Sequence, residues 1–162
     1  MIASPAVTLR RATDADTPFL LELYASVRAA EFAGLAVDES TRAQLIAMQF
    51  SAQDQAYRQA YPEASFDVIV CDGRSVGRIS VDRGEDAIQL IDIALLPVAR
   101  GSGIGGGLLR ELQAEAAAAG TRVALSVARG NPALSLYRRL GFATVAEDDV
   151  YLGLEWRPPA VS

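Results

Sequence analysis

Residues 95–112 read LLPVARGSGIGGGLLREL, with five glycines in the seven positions from Gly101 to Gly107 and a leucine-rich helical pattern directly behind them. Inside a helix each glycine costs about 0.5–1 kcal/mol against alanine. Gly105, Gly106 and Gly107 therefore oppose the helix they open, and some other requirement must be served there. The flanks narrow the fold further. An apolar run, DAIQLIDIALL, precedes the loop, and a second, RVALSV, follows the helix. Strand, glycine loop, helix and strand in this order form a crossover unit, right-handed if its strands are parallel. A chain carrying such a unit folds as a mixed α/β domain.

The remaining segments supply the other elements. AVTLRRA, residues 6–12, alternates as a first strand. TDADTPFLLELYASVRAAEF predicts one helix over 13–32, capped by Thr13 or Asp14, and DESTRAQLIAMQFSAQDQAYRQAYP a second over 38–62, closed by Pro62. From Phe66 the period changes: FDVIVCD, SVGRISVDR and DAIQLIDIALL read as three strands joined by the turn signals DGR and GED, most simply an antiparallel meander. GGGLLRELQAEAAAAG predicts a helix over 105–120 with Gly120 as its C-cap. NPALSLYRRLGF predicts a short helix with Asn131 as cap, Pro132 in the first helical position and Gly141 as its stop. FATVAEDDVYLGLEW gives two strands around an acidic turn, and RPPAVS, from about residue 157, a loose tail. With no repeat or linker, residues 1–162 read as one domain.

Composition removes several classes of function. The chain has no histidine, so neither a histidine triad nor an imidazole zinc site is available, and no metal is expected. Its net charge of −5 argues against nucleic acid as a partner and leans towards a cationic one. The single cysteine, Cys71, permits no intrachain disulfide and sits in the apolar run FDVIVCD, where a structural thiol is expected. MIASPAVTLRR lacks the apolar core of a secretion signal, and no stretch approaches the roughly 18 apolar residues of a membrane span. The expected location is the cytoplasm.

Amides at a helix start lack intrahelical acceptors and lie at the positive end of the helix dipole, so they bind anions. Glycine, without a Cβ, lets a phosphate reach them. A P-loop is not present, because its lysine and hydroxyl are missing. The Rossmann fingerprint is matched in letter as Gly101-x-Gly103-x-x-Gly106, but LPVAR intervenes after the strand and the acid required about 20 residues on is absent from RVALSVARG. A third pattern fits better. Arg100-Gly101-Ser102-Gly103-Ile104-Gly105, preceded by IDIALLP, resembles the Gln/Arg-x-x-Gly-x-Gly/Ala acyl-CoA signature of the GNAT superfamily of N-acyltransferases. Asn131, followed by PALSLYRRLGF, is similar to the second hallmark of that family. The similarity covers residues 88–142, and the order of elements over 6–156 is also that of the fold.

The resemblance implies a mixed sheet, mostly antiparallel with one splayed parallel pair, flanked by helices. It implies acetyl-CoA as cosubstrate and an amine as acceptor, with a homodimer as one assembly. Main-chain amides of Arg100, Gly101, Ser102, Gly103, Ile104 and Gly105 would hold the pyrophosphate, with Gly106 adjoining. Ile93, Ala94 and Leu95 would pair with the pantetheine arm, and an amide near Ala94 or Leu95 would polarise the thioester carbonyl. Asn131 would contact pantetheine, and Tyr137 would stand near the sulfur.

The residues' own chemistry agrees. Acyl transfer to an amine needs a neutral amine, a polarised carbonyl and a proton for the departing thiolate. The Tyr137 phenol can supply that proton; the alternative is that it packs an amphipathic helix onto the sheet. Asp92, an acid between Ile91 and Ile93, either takes the amine proton, caps a neighbouring loop, or pairs with Arg78 or Arg83. Glu31, Phe32, Gln53, Tyr57 and Tyr61 are candidates for the acceptor wall, each with an ordinary core or surface role as its alternative. Arg138 and Arg139 read as a solvated face, one of which could meet the CoA 3′-phosphate. A non-catalytic acyl-CoA module is a second hypothesis and a Rossmann-type nucleotide domain a third. The acceptor amine stays open, because a fold does not specify it.

Overall fold

The computed structural model describes residues 6–160. The N-terminal residues of MIASP and the last two residues of the expected tail lie outside them. Alternating branched residues build strands β1 (Val7–Arg11), β2 (Ser65–Cys71), β3 (Arg74–Arg83), β4 (Ala87–Leu95), β5 (Arg122–Ala128), β6 (Ala143–Glu147) and β7 (Tyr151–Trp156). Helices α1 (Thr17–Val27), α2 (Ala29–Ala33), α3 (Glu39–Ala60), α4 (Ile104–Ala119) and α5 (Leu134–Arg139) complete the chain. The strands form one sheet in the order β1-β2-β3-β4-β5-β7-β6, a mixed α/β arrangement as the sequence predicts.

Two compact units divide the residues. One takes the chain up to Ser80 together with Asp92–Arg100; the other takes Val81–Ile91 and everything from Gly101 onward. In the first, β1 runs antiparallel to β2 with Leu9 opposite Ile69. Leu23, Val68 and Ile69 are fully buried, and Tyr24 of α1 meets Phe50 of α3 edge to face at 5.8 Å between ring centres. The β2–β3 turn is set by Asp72 and Gly73, both at positive φ (50° and 81°), the geometry of a two-residue hairpin.

The single helix predicted over 13–32 is instead three pieces: a 3-10 turn at Asp14–Asp16, α1 and α2. Arg28 interrupts it at φ −99°, ψ 8°, while its guanidinium lies 5.0 Å from the Tyr24 ring centre and pairs with Glu31 at 3.2 Å. Nothing in the local sequence announces this break, because Arg and Ala are both good helix formers. Three helices thus stand between β1 and β2, where the sequence predicts two.

In the second unit, α4 buries Leu108, Leu109, Leu112 and Ala116, and packs on β5, whose Val123, Leu125 and Val127 are also buried. Each such leucine contributes about 1.5–3 kcal/mol of burial. Gln113, buried on α4, donates through Nε2 to the Leu140 carbonyl at 2.8 Å and so ties the helix to the end of α5. β4 and β5 are parallel, paired from Ala87 with Arg122 to Leu90 with Leu125; that ladder stops there, and β4 continues to Leu95. β7 is antiparallel to both β5 and β6, with a bulge between Thr144 and Ala146.

Two helix starts differ from expectation. α4 begins at Ile104, one residue before the predicted Gly105. α5 begins at Leu134, not at Pro132: the Asn131 carboxamide oxygen accepts the Ala133 N–H at 2.9 Å, and this local turn delays the helix.

Candidate functional site

The glycine loop owes its shape to two backbone conformations. Gly101 stands at φ 74° and Gly103 at φ 87°, both in the left-handed region that other residues avoid. Gly103 is the N-cap of α4, and no side chain bonds there. The Gly107 N–H reaches the Gly103 carbonyl at 3.0 Å, so the intrahelical ladder starts at that residue. The amides of Ile104, Gly105 and Gly106 precede it and have no acceptor within the helix.

Gly106 and Gly107, inside α4, are not required by the protein's own packing. A Cβ on Gly107 would meet nothing within 4 Å, and one on Gly106 would make only ordinary contacts, the nearest with Arg110 Nη1 at 3.5 Å and Leu136 Cδ1 at 3.7 Å. Gly101, Ser102 and Gly103 are exposed. Positions 101 and 103 therefore place no Cβ beside these amide donors.

Ile93, Ala94 and Leu95 form the half-buried end of β4 in the first unit. Past the strand, the Leu96 N–H donates to the Val76 carbonyl at 2.8 Å. Arg100 Nε donates to the Leu95 carbonyl at 3.1 Å, so this side chain braces the end of β4, while the Arg100 N–H turns back to Pro97 at 3.2 Å. Across from β4, Gly77 of β3 is buried, and a Cβ built on it would collide with the Ala94 carbonyl oxygen.

Asp92 has a partner. Arg78 Nε donates to its Oδ2 at 2.6 Å, and Arg78 Nη2 donates to Gln53 Oε1 at 2.9 Å. Arg83, the other candidate partner, binds Glu115 instead. The Arg78 guanidinium also lies 5.8 Å from the Phe50 ring centre. Leu20, Asp54, Tyr57, Arg58, Phe66 and Arg78 are among the residues lining a small hollow in the first unit.

Of the acceptor-wall candidates, Phe32 is core and Glu31 is an exposed partner of Arg28. Gln53 and Tyr57 are half-buried on α3, and Tyr61 is its C-cap. In the second unit Tyr137 is buried on α5, with its ring 5.8 Å from that of Phe142 and inclined at 64°. Asn131 is exposed, with its carboxamide oxygen committed to Ala133.

Cys71 is half-buried with Sγ 3.9 Å from Asp72 Oδ2. Burial, and next the Asp72 carboxylate, push its thiol upward, which opposes a thiolate nucleophile. Among the described residues no group of acids and cysteine is placed to hold a metal, and no helix is long and apolar enough to cross a membrane. Two features here go beyond the sequence-derived candidates: the close backbone approach at Gly77, and the bond that Arg78 donates to Gln53. A lone glycine inside the strand SVGRISVDR was the available signal for the first, since it marks a close backbone approach. The second depends on long-range register and had none.

Residues 62–144, just over half of the chain, match the family model for the acetyltransferase (GNAT) domain. No curated protein sequence matches. Among solved structures, PaiA N-acetyltransferase from Thermoplasma acidophilum in complex with coenzyme A is similar with a TM-score of 0.70 at 21% identity, over 94% of this chain and 99% of that one. An acetyltransferase from Thermus thermophilus gives a TM-score of 0.69 at 18% identity, over 97% and 100%. A Corynebacterium glutamicum structure named histone acetyltransferase HPA2 and related acetyltransferase gives 0.64 at 25% identity, over 99% of each chain.

Proposed function

Because the chain belongs to the GNAT acetyltransferase family, we propose that it transfers an acetyl group from acetyl-CoA directly to a primary amine. The start of α4 is the observation that carries this reading. Its first-turn amides have no side-chain cap, and glycines at 101 and 103 leave them open to a pyrophosphate. The donor set also fits an anion chemically, being neutral N–H groups at the positive end of a 16-residue helix. The coenzyme A bound in the PaiA structure supports the same cosubstrate here.

In this reading the amides from Gly101 to Gly105 hold the pyrophosphate, with Gly106 beside it, whereas the Arg100 N–H, expected among them, is taken by the Pro97 carbonyl at 3.2 Å. The backbone of Ile93, Ala94 and Leu95 takes the pantetheine arm, and the Leu95 N–H polarises the thioester carbonyl. Asn131 has its oxygen committed to Ala133, so its NH2 is the group that meets pantetheine. Acetyl-CoA supplies an activated acyl carbon. A C–N bond forms as the C–S bond breaks; Asp92 accepts the amine proton through water, and Tyr137 returns a proton to the thiolate. Arg78 holds one oxygen of Asp92 in place for that task.

Calorimetric titration with acetyl-CoA, using NAD as the control ligand, tests the cosubstrate. Saturable binding of acetyl-CoA alone is the expected result; folded protein that binds neither abandons the reading. Release of free thiol is then screened against peptide N-termini, lysine side chains, polyamines and aminoglycosides. With the acceptor so found, Tyr137→Phe lowers kcat by about a hundredfold and leaves acetyl-CoA affinity unchanged. An unchanged kcat removes Tyr137 from the chemistry. Accumulation of an acetylated Cys71 that turns over would overturn direct transfer.

A further inference from the structure

Gly77 stands in the middle of β3, a strand of ten residues, where glycine contributes no packing and weakens the ladder. Its surroundings account for it. A Cβ there would occupy the volume of the Ala94 carbonyl oxygen, and would also stand 2.8 Å from Leu95 Cδ2 and 3.2 Å from Ile69 Cδ1. Gly153 of β7 is the contrasting case, since its Cβ would come no closer than 3.3 Å to Ala146 Cβ. A flexible leucine tip can move aside, whereas a main-chain oxygen moves only with its whole peptide.

That peptide is the Ala94–Leu95 unit. It is planar and rigid, so displacing the carbonyl of Ala94 turns the N–H of Leu95 by the same rotation. Leu96, one residue on, is pinned by its bond to the Val76 carbonyl, and Arg100 holds the Leu95 carbonyl. The strand is therefore anchored on the far side of the peptide, and the orientation of the Leu95 N–H is set by how closely β4 can approach β3 at Gly77. We propose that Gly77 is a positioning residue for acyl transfer: its missing side chain admits the Ala94 carbonyl and thereby aims the Leu95 N–H at the thioester oxygen. This rests on the acetyl-CoA reading above. It explains why an otherwise branched strand gives up a side chain opposite the end of β4, where the reaction is assigned.

The test is Gly77→Ala in the full chain, with the thioester carbonyl as reporter. Infrared difference spectra with carbonyl-labelled carbon-13 acetyl-CoA measure how far the bound C=O stretch falls below its value in water. Calorimetry with CoA, which has no acyl carbonyl, reads the phosphate loop separately, and thermal melting reads the fold. The wild type is expected to lower the stretch. Folded Gly77→Ala is expected to lose most of that shift while its CoA affinity stays within about threefold, the signature of a donor that acts on the carbonyl and not on uniform binding. Gly153→Ala, a crowding change elsewhere in the sheet, is expected to keep the full shift.

If Gly77→Ala does not fold, the Gly77→Ala, Leu95→Ala double variant removes the leucine contact and leaves the main-chain clash. Folding restored without the carbonyl shift supports the proposal; folding restored with the full shift overturns it. A full shift in folded Gly77→Ala also overturns it, as does failure of both variants to fold, because the contact is then purely structural. No binding of acetyl-CoA by the wild type is a different failure, that of the acyltransferase reading itself.

Discussion

The starts of α3 and α4 meet the same physical demand in opposite ways. At α3, Asp38 turns its own carboxylate onto the Thr41 N–H at 2.7 Å, and that bond holds the Asp38 carboxyl below its ordinary range. At α4, Gly103 has no side chain to offer, and the first-turn amides are left without a cap. A helix closed by its own residue needs nothing from outside. One opened by glycines leaves its first donors without a side-chain cap, at the cost of helix propensity. Gly106 and Gly107 extend the point, since neither is demanded by packing within the protein.

The largest expected effect breaks the contrast outright. Gly103→Val forces a β-branched residue towards φ 87° and puts a side chain over the amides. Acetyl-CoA affinity, measured calorimetrically, falls about a hundredfold; binding at the wild-type level would show that α4 does not receive the phosphates. Gly106→Ala sharpens the comparison more gently. Its Cβ finds only ordinary contacts, so the melting temperature holds or rises, while affinity for acetyl-CoA drops about tenfold. A variant that is both more stable and as good a binder would leave the glycine without a ligand-based account.

The smallest effect concerns the self-satisfied kind of start. Thr13 and Asp16 form a capping box, and Arg10, at 2.6 Å, then the Thr13 amide hold Asp16 down to about 2. A carboxylate depressed in the folded state stabilises the fold above its unfolded pKa of about 3.9, and that stabilisation is lost as pH falls through the folded value. Urea unfolding followed from pH 5 to pH 2 therefore shows a loss of stability that Asp16→Asn flattens. Acetyl-CoA binding at neutral pH is unchanged in that variant. An identical pH profile in wild type and variant would mean that the box contributes nothing measurable.

Local signals were legible wherever a residue acts on its near neighbours. The DGR signal marks the turn that Asp72 and Gly73 make from β2 into β3, Gly120 caps α4 as the sequence predicts, and α4 starts within one residue of its predicted position. The reading was less accurate where two local roles compete for one residue. Asn131 is both a helix cap and a turn former, and the turn to Ala133 moved the helix start to Leu134. Arg28 breaks the first helix at φ −99°, ψ 8°, a backbone departure that propensity does not encode. Asp92 was legible as an acid in need of a partner, but the choice of Arg78 over Arg83 depends on the register of β3 against β4.

The sequence alone determined the class of the chain and the position of its glycine loop, because hydrophobic period, turn residues and the helix-opening glycines are properties of short stretches. It also determined what chemistry is absent, since without histidine no imidazole can act. Tertiary structure decided what depends on residues far apart in the chain: the insertion of β7 between β5 and β6, the ion pair that holds Asp92, and the close passage of Ala94 over Gly77. The division follows from range. Backbone propensities and caps act over a few residues and can be read in order, whereas strand register is chosen by the summed burial of whole faces, and a shift of one residue would exchange every inward side chain for an outward one.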